Sequence, residues 1–278
     1  MKTIFSLVLF SVFATDSLAS TIEITSCNYS ITQPGHYRVD ADLDCSGLPA
    51  PYGIKILNTY DVELDLGGHT LTGRPHPTYG GLGRGVYVYN SNNVKIDGTR
   101  SSTLLQNWQQ AIYITNSSDI EIDGDYMWVK NSNVGIMAHQ SDGLSFDETK
   151  FRGNINRDVY LSDTSAVEIE RFSLYGNTRQ GVLVSKSNQV VVKRSKFGVD
   201  TAMSRGIIVY DSTGTTIERN EFDRLAVAIS LTGQTSVTHI DDNEFGDEQQ
   251  NDCDIQVILG ADLAYLDDNE PSQLAVCN

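Results

Sequence analysis

Proton-transfer chemistry in this sequence would depend on one of its five histidines and a few polar side chains at related positions. Histidine changes its protonation state near neutral pH. Removing a proton beside a carboxylate needs a base, an acid for the leaving oxygen and a cation that binds the carboxylate. We predict His139 or Lys186 as the base. Tyr113 or Tyr160 is predicted as the acid and Arg157 as the cation, the alternative being that His139 is an ordinary surface histidine.

The elements that must position these residues follow from an internal repeat. Apolar residues recur in columns with a fixed offset, and successive members are 23 to 26 residues apart in the central column. The central column is Ile96, Ile122, Phe146, Ile169, Val192, Ile217, Ile240 and Leu266. The column ten residues earlier is Val86, Ile112, Ile136, Val159, Val182 and Ile207. The column five residues later is Met127, Phe151, Leu174, Phe197, Phe222 and Phe245.

Each repeat predicts two or three short strands, because apolar and polar residues alternate locally and turn residues lie between the segments. A unit of this size buries its apolar face only by stacking on identical units. The pattern therefore predicts an all-β, single-domain parallel solenoid. Asn220, Asn243 and Asn269 share one position in the repeat, which predicts a side-chain ladder. A β-sandwich is the alternative, but it predicts no long-range phase between strand pairs.

One side of this solenoid is predicted to carry tyrosines beside polar residues. The residues that should point outward after the first column are Tyr87, Tyr113, Met137, Tyr160, Leu183 and Ile208. Two positions further on come Tyr89, Thr115, His139, Ser162, Ser185 and Tyr210, followed by Asn90, Asn116, Gln140, Asp163, Lys186 and Asp211. Tyrosine rings suit sugar rings, which have an apolar face and polar edges. The alternative is that tyrosine is simply a good strand residue.

From this side we predict a set of ligand-binding residues: Tyr87, Tyr89, Tyr210, Arg205 and Asp163. The irregular stretch 74–84 is long enough to wall one end of the tyrosine-bearing side, or it is a tolerated surface insertion. Acidic turns at 123–125, 241–242 and 267–268 could hold Ca²⁺, although no EF-hand spacing occurs. The metal content is otherwise open.

The first 19 residues resemble an export signal. Lys2 precedes an apolar run over residues 4–14, and small residues at Ser17 and Ala19 predict cleavage after Ala19. The run is too short to cross a bilayer as a helix, so we expect no membrane insertion and a secreted or periplasmic protein. The mature domain would then span residues 20–278.

Four cysteines remain after that cleavage. We predict disulfides between Cys27 and Cys45 and between Cys253 and Cys277, because an oxidising compartment permits them and the two ends of a repeat structure need stapling. Three pairings are possible in principle. Zinc binding is the competing interpretation, but no Cys-x-x-Cys spacing is present.

The charge of the chain excludes some partners. It has 20 basic and 36 acidic residues and a formal charge of −16, which disfavours nucleic acid and anionic membranes. The middle of the chain, residues 150–224, is mildly cationic and could attract an anionic ligand. We expect a monomer.

The repeat spacing, the Asn-Glu-Phe turns at 220–222 and 243–245, and Leu-Asp-Leu-Gly-Gly-His-Thr-Leu at 64–71 together resemble the right-handed parallel β-helix proteins of the pectate-lyase-like superfamily. The resemblance covers about residues 30 to 270. It implies about nine coils, an N-terminal cap within residues 20–50 and a C-terminal cap within 253–278. Proteins of this fold include lyases, hydrolases and epimerases and also proteins without activity.

Two functions are consistent with this resemblance. The first is an exported lyase or C5-epimerase acting on a polysaccharide that contains uronic acids. The second is a non-catalytic protein that binds glycans or forms part of a surface or matrix layer. Convergence of His139, Tyr113, Tyr160 and Lys186 across a groove would favour the first.

Overall fold

The structure of the chain is a computed structural model. It describes residues 20–76, 78, 80–98, 102–176, 179–198, 203–246, 251–258, 260–262, 265–270 and 276–277. The predicted export signal at 1–19 lies outside these residues. Within them no helix is long and apolar enough to cross a membrane.

The described strands form three parallel sheets and one hairpin. Sheet 1 contains Ile22–Ile24, Gly35–Val39, Tyr60–Asp65, Asn92–Asp97, Ser118–Asp123, Asp142–Asp147, Ser165–Glu170, Asn188–Lys193, Thr213–Glu218, Ser236–Asp241 and Tyr265–Asp267. Sheet 2 contains Tyr29–Ile31, Tyr52–Leu57, Arg84–Tyr89, Gln110–Thr115, Val134–His139, Arg157–Ser162, Gln180–Ser185, Met203–Tyr210, Leu225–Thr232, Ile255–Val257 and Val276–Cys277. Sheet 3 contains Leu43–Asp44, Thr70–Thr72, Thr103–Gln106, Met127–Lys130, Lys150–Arg152, Ser173–Tyr175, Lys196–Phe197, Glu221–Phe222 and Glu244–Phe245. The hairpin pairs Arg74–His76 with Gly80–Leu82.

The chain visits sheet 2, sheet 1 and sheet 3 in turn and then begins the next coil. Each residue pairs with its counterpart one repeat later, as Val86 pairs with Ile112 and Ile112 with Ile136. This in-phase parallel pairing confirms the prediction of an all-β parallel solenoid of about nine coils. It also excludes the β-sandwich.

The three apolar columns of the sequence form the interior. Almost all of their members are at most 3% exposed, and Trp108 joins them, donating its indole N–H to the carbonyl of Leu71 at 3.0 Å. One prediction was wrong at the end of the stack, where Leu266 is 38% exposed because its strand is the last of sheet 1. On the outside of sheet 2, Ile208 pairs with Leu183 on the predicted outward row, yet it is only 4% exposed.

The corners between sheets are held by buried side-chain ladders. At the corner from sheet 2 to sheet 1, each serine donates to a carbonyl two residues earlier and accepts a backbone N–H from the coil before it, as Ser117 does with Thr115 and Ser91. The residue entering this corner has a left-handed backbone at Asn58, Asn90, Asn116, Gln140, Asp163, Lys186 and Asp211. Because these residues turn the chain sharply, the outer faces of sheets 1 and 2 point in different directions.

The predicted asparagine ladder is confirmed at the corner from sheet 1 to sheet 3. Asn220 Oδ1 accepts the backbone N–H of Ser195 at 2.9 Å, and Asn243 Oδ1 accepts that of Asn220 at 3.0 Å. Asn269 repeats this contact with Asn243 at 3.0 Å. The amides therefore satisfy backbone groups that the turn would otherwise leave buried and unpaired.

Both predicted disulfides are present. Cys27 is bonded to Cys45, and Cys253 is bonded to Cys277. No free cysteine occurs in the described part of the chain. The two bonds lie in the first and the last described coils.

Candidate functional site

The outer face of sheet 2 holds most of the side chains predicted to do chemistry, and we call it the tyrosine face. It is built from three outward rows that run along the solenoid. The tyrosine face comprises Tyr52, Arg84, Tyr87, Tyr89, Tyr113, Met137, His139, Arg157, Tyr160, Asp163, Gln180, Leu183, Lys186, Arg205 and Tyr210. The tyrosines predicted to point outward do so: none is buried, and Tyr89 and Tyr210 are 37% and 41% exposed.

Four tyrosines and one arginine form an aromatic cluster at the N-terminal end of this face. The Tyr87 ring stacks on Tyr113 with centroids 5.5 Å apart and planes 12° apart. Tyr52 and Tyr89 extend the cluster on either side of Tyr87, with centroids 5.8 and 6.1 Å from its ring. The Arg84 guanidinium lies 4.7 Å from the Tyr87 centroid and 4.6 Å from the Tyr113 centroid. The cluster therefore presents a cation among aromatic rings.

Arg84 has hydrogen-bonding capacity that the protein leaves unused. One terminal nitrogen donates to the Tyr52 hydroxyl at 2.8 Å. Its Nε is buried without a partner, and no carboxylate of the described residues forms an ion pair with it. A guanidinium has five N–H donors that suit a carboxylate. Arg84 is thus a cation held between tyrosine rings, with N–H donors that no carboxylate of the described residues occupies.

The hydroxyl of Tyr87 is held in its protonated form. Burial raises the pKa of Tyr87, against the opposing effect of the Arg84 guanidinium. A protonated phenol both donates and accepts hydrogen bonds. The cluster can therefore offer hydroxyl groups as well as a cation to a polar ligand.

A second arginine repeats this arrangement three coils further on. The Arg157 guanidinium lies 4.8 Å from the Tyr160 centroid, and its Nε donates to Gln180 Oε1 at 2.7 Å. Burial lowers the pKa of Arg157, an effect that the Tyr160 hydroxyl opposes and that Arg179 increases. Arginine remains charged in proteins, so Arg157 is a second cation on this face.

His139 lies between these two groups on the adjoining row. Its Nδ1 is 3.6 Å from Asp163 Oδ2, and the Ser162 hydroxyl donates to the same carboxylate at 2.8 Å. The distance exceeds that of a hydrogen bond, so the histidine and the carboxylate form a close pair without a direct bond. The pair thus places a carboxylate beside the imidazole on this face.

The predicted catalytic residues fall into separate groups. Arg157 contacts Tyr160, whereas Tyr113 belongs to the aromatic cluster, and Met137 lies between the two tyrosines in the sheet. Lys186 lies exposed at the corner, two coils beyond His139. The geometry therefore joins the residues in pairs rather than at one point.

Two of the predicted ligand-binding residues lie beyond these pairs. Arg205 follows Gln180 in the register of sheet 2, and Tyr210 follows Ser185. A hydrogen bond with Asp211 raises the pKa of Tyr210. These residues extend the polar part of the face toward the C-terminal coils.

Sequence reasoning missed Arg84 and Tyr52. Both lie at the outward position that precedes the first column by two residues, and Arg157 and Arg205 occupy that same position. The sequence therefore did contain the pattern, because three arginines lie two residues before members of the first apolar column. The pattern was hidden because Arg84 ends the irregular stretch 74–84.

That stretch forms the hairpin, which lies beside the aromatic cluster. Gly81 approaches the backbone of Asn107 and Trp108 so closely that a Cβ atom would collide with it. Gly83 accepts the backbone N–H groups of Gln109 and Gln110 at 3.0 and 3.2 Å. The hairpin thus covers the edge from which Arg84 emerges, while Pro77 and Tyr79 lie outside the described residues.

The acidic turns do not form a cation site among the described residues, since no three His, Cys, Asp or Glu side chains are grouped to hold a metal ion. Asp123 nevertheless has acidic neighbours. Burial raises the pKa of Asp123; Lys95 opposes this, while Asp97, Asp147 and Glu121 add to it. The described residues of these turns therefore show no arrangement of ligands that supports the predicted Ca²⁺ site.

The fold and its outer faces define a parallel β-helix protein with two disulfides, a feature compatible with a periplasmic or extracellular location. The chain belongs to the family described as periplasmic copper-binding protein (NosD), whose sequence profile matches residues 67–258. No curated protein matches the sequence.

Solved structures with the same fold include proteins that act on polysaccharides. The enzymatically active domain of tailspike protein 2 from bacteriophage CBA120 is 11% identical, with a TM-score of 0.56 over 87% of this chain and 41% of that one. The periplasmic alginate epimerase AlgG is 11% identical, with a TM-score of 0.51 over 89% and 76%. An alginate lyase from Paenibacillus sp. str. FPU-7 is 12% identical, with a TM-score of 0.50 over 93% and 99%. At these identities the likeness shows the fold, and this chain spans about two fifths of the tailspike domain.

Copper, which the family description names, finds no suitable donor set in the described residues. Every described cysteine is in a disulfide, and Met127 and Met203 are buried in the core. The histidines pair separately: His36 with Glu63, His69 with Asp42, His76 with the backbone of Thr78, His139 with Asp163, and His239 with the Tyr265 ring. Met137 and His139 supply two neighbouring donors, fewer than the three or four of protein copper sites. These residues do not fit a copper centre.

Proposed function

We propose that the protein binds an acidic polysaccharide along the tyrosine face. The observation that carries this proposal is the Arg84 guanidinium, which lies on the Tyr87 and Tyr113 rings and has no carboxylate partner among the described residues. The rings offer apolar surfaces to sugar rings, and the guanidinium offers paired donors to a sugar carboxylate. Arg157 on Tyr160 offers a second such position three coils away.

The spacing of the face supports an extended ligand. Adjacent coils are about 4.8 Å apart, so Arg84 and Arg157 are separated by about 14 Å along the solenoid. A linear polymer that runs along the axis can therefore contact both arginines. A small molecule would contact only one.

We further propose that the protein works outside the cytoplasm, in the periplasm or as a secreted monomer. The two disulfides, the family description and the predicted export signal support this location. Immunodetection of the native protein in periplasmic and culture fractions, with the cysteines oxidised, is the expected result. Detection only in the cytoplasmic fraction would contradict it.

Binding is tested with a panel of immobilised polysaccharides that includes alginate, pectate, glycosaminoglycans and neutral glucans. We expect saturable binding to at least one uronate polymer and loss of that binding in the triple variant Tyr87→Ala, Tyr113→Ala, Tyr160→Ala. Tyr60→Ala is the matched control, because Tyr60 is exposed on sheet 1. Equal loss in both variants, or no binding to any acidic polymer, would overturn the proposal.

A second function, favoured by the His139–Asp163 pair, is β-elimination or C5 epimerisation on the same polymer. In this hypothesis His139 takes the C5 proton, with Lys186 as the alternative base. In elimination the C4–O bond breaks, a C4–C5 double bond forms and Tyr160 or Tyr113 protonates the leaving oxygen. In epimerisation a proton returns to C5 from the opposite side. Arg157, or Arg205, binds the carboxylate.

The two functions differ in turnover. Elimination generates an unsaturated product with ultraviolet absorbance, and epimerisation changes the proton NMR spectrum of the polymer. If the enzyme hypothesis holds with His139 as the base, His139→Gln abolishes either change while binding persists, and Asp163→Asn reduces its rate; if Lys186 is the base, Lys186→Gln abolishes it instead. Binding without either change, across every polymer that binds, leaves the non-catalytic function as the correct one.

A further inference from the structure

A second aromatic and cationic surface lies on the outer face of sheet 3, well apart in the coil from the tyrosine face. The rings of Trp128 and Tyr175 have centroids 5.1 Å apart and planes 38° apart. Lys130 Nζ lies 4.4 Å from the Trp128 centroid. We call this surface the tryptophan face; it comprises Tyr126, Trp128, Lys130, Lys150, Arg152 and Tyr175.

The strands of sheet 3 explain how these side chains meet. Trp128 pairs with Lys150 one coil later, and Lys130 pairs with Arg152. Arg152 in turn pairs with Tyr175. Because Trp128 and Tyr175 are two coils apart and on neighbouring rows, their rings meet diagonally across the strand that carries Lys150 and Arg152. The result is a continuous platform over three coils.

The side chains of the platform are open to solvent. Tyr126 is 50% exposed, Arg152 is exposed, and Trp128, Lys130 and Tyr175 are partly exposed. The other tryptophan, Trp108, is completely buried. An aromatic pair of this size at the surface is available to a ligand.

The cations on this platform are not neutralised within the described structure. Lys130 and Arg152 form no ion pair with a carboxylate of the described residues. Lys150 Nζ donates to the carbonyl of Asp125 at 3.2 Å and lies 5.9 Å from the Tyr126 centroid. Two coils beyond Lys150 on the same sheet, Lys196 is paired with Glu221. Unpaired cations in a chain of charge −16 mark the surface as a place for an anion.

We propose that the tryptophan face is a second binding surface, which takes a segment of an anionic polysaccharide. The rings provide apolar surfaces for sugar rings, and Lys130, Lys150 and Arg152 provide charges for carboxylates or sulfates. Charge complementarity favours this occupant over a neutral glycan. The surface lies on a different sheet from the tyrosine face, so one chain can hold two polymer segments at once.

The test uses Trp128 as its own reporter, because the sequence has only two tryptophans and the other is buried. Full-length protein is titrated with hexamers of mannuronate, guluronate and galacturonate, and with mannohexaose as the neutral probe. We expect a saturable change in tryptophan emission with at least one anionic hexamer and none with mannohexaose. In Trp128→Phe the emission change disappears, while calorimetric binding remains because the ring is kept.

Substitutions of paired and unpaired cations on sheet 3 distinguish a loss of ligand contacts from a general effect on the fold. We expect Lys130→Gln with Arg152→Gln to weaken the emission-monitored affinity at least tenfold, since both changes remove a charge that contacts the ligand. Lys196→Gln is the matched control on the same sheet and should change the affinity less than twofold, because Lys196 is already paired with Glu221. Equal effects of the two changes would overturn the assignment.

Binding at the tryptophan face and binding at the tyrosine face can be measured separately, so each proposal can fail without the other. The variant Tyr87→Ala, Tyr113→Ala should lose binding at the tyrosine face but keep the Trp128 emission change. Binding of the anionic hexamers without any such change would overturn the tryptophan face alone. A dimer in sedimentation that Trp128→Ala dissociates would also overturn it, because the surface would then be an interface between copies.

Discussion

Sheets 1 and 2 are built from the same coils, yet their outer faces differ in whether their cations are paired with carboxylates. On sheet 1, Lys95 pairs with Glu121 at 2.9 Å, and Lys193 pairs with Glu168 at 2.8 Å and with Glu170 at 3.3 Å. On sheet 2, Arg84 and Arg157 rest on tyrosine rings.

The difference follows from which residue stands one coil away. In a parallel stack, the neighbour of each outward residue is its counterpart about 4.8 Å along the axis. Acidic residues fill this position around Lys95 and Lys193, whereas tyrosine, glutamine or an apolar residue fills it around Arg84 and Arg157. Sheet 1 therefore neutralises its cations internally, and sheet 2 leaves them available to a ligand.

The largest effect is expected from removing the available cations. Arg84→Gln combined with Arg157→Gln should weaken binding of the uronate polymer about 100-fold, since each lost charge-assisted contact contributes about 1.4 kcal/mol or more. Equilibrium dialysis with a labelled oligouronate measures it. Lys95→Gln is the control on sheet 1, and an equal loss there would show that the comparison between the faces is wrong.

A smaller effect is expected at the corner that joins the two faces. The Ser187 hydroxyl accepts the backbone N–H of Thr164 at 3.1 Å and donates to the carbonyl of Ser185 at 2.8 Å. Ser187→Ala leaves a buried N–H unpaired and should lower the free energy of unfolding by roughly 1–3 kcal/mol. Urea denaturation measures this change.

The matched control for the corner is Ser236→Ala. The Ser236 hydroxyl donates to Thr213 on an exposed part of sheet 1. We expect a change within about 0.5 kcal/mol. A destabilisation as large as that of Ser187→Ala would show that the ladder contributes nothing special to the corner.

Beneath sheet 2, Asp158 should produce a pH-dependent effect. This residue is completely buried, its Oδ1 accepts the Asn154 amide at 2.7 Å, and its Oδ2 has no partner. Burial raises the pKa of Asp158 well above its ordinary value, against the hydrogen bond from Asn154. The folded state therefore keeps the Asp158 proton to a higher pH than the unfolded state does, and the stability of the protein falls as the pH rises from the ordinary value of about 4 toward the raised pKa.

Asp158→Asn carries no such proton, so its Tm relative to the unmodified protein should rise as the pH is increased from 4 to 8. Differential scanning calorimetry over this range measures the difference. Asp142→Asn, at an exposed position on sheet 1, should show no such trend. A flat difference for Asp158→Asn would mean that the pKa of Asp158 is not raised in the folded protein.

The smallest effect is expected on sheet 1. Lys193→Gln breaks contacts with Glu168 and Glu170 near the surface, and pairs of this kind contribute about 0.2–1 kcal/mol. Thermal unfolding should therefore change little, and polysaccharide binding should stay the same. A marked loss of binding would contradict the division between paired and available cations.

The sequence predicted the stack because its period depends only on which residues are apolar. The three columns, the Asn220 ladder and both disulfides follow from residue type and spacing, and the structure contains them. The exposure of Leu266 and Ile208 was not predicted, because exposure also depends on what lies beside a residue, and Leu266 is in the last strand of sheet 1. Spacing alone does not contain that information.

The contacts of the arginines could not be predicted in the same way. An arginine on an outward row can reach along the axis, across the row or back over its own strand, and its rotamer decides which. Arg84 lies over Tyr87 and Tyr113, while Arg194 reaches Glu170 at 2.6 Å. The same uncertainty applied to His139, whose partner lies one coil away, and to Trp128, whose partner lies two coils away.

A crystal structure of the protein with a bound oligouronate, chosen from the polysaccharide panel, tests the central claim most directly. The predicted result is a sugar ring on Tyr87 or Tyr113 with its carboxylate within hydrogen-bonding distance of the Arg84 guanidinium. An oligouronate bound to the paired charges of sheet 1, with the tyrosine face bare, would contradict the account.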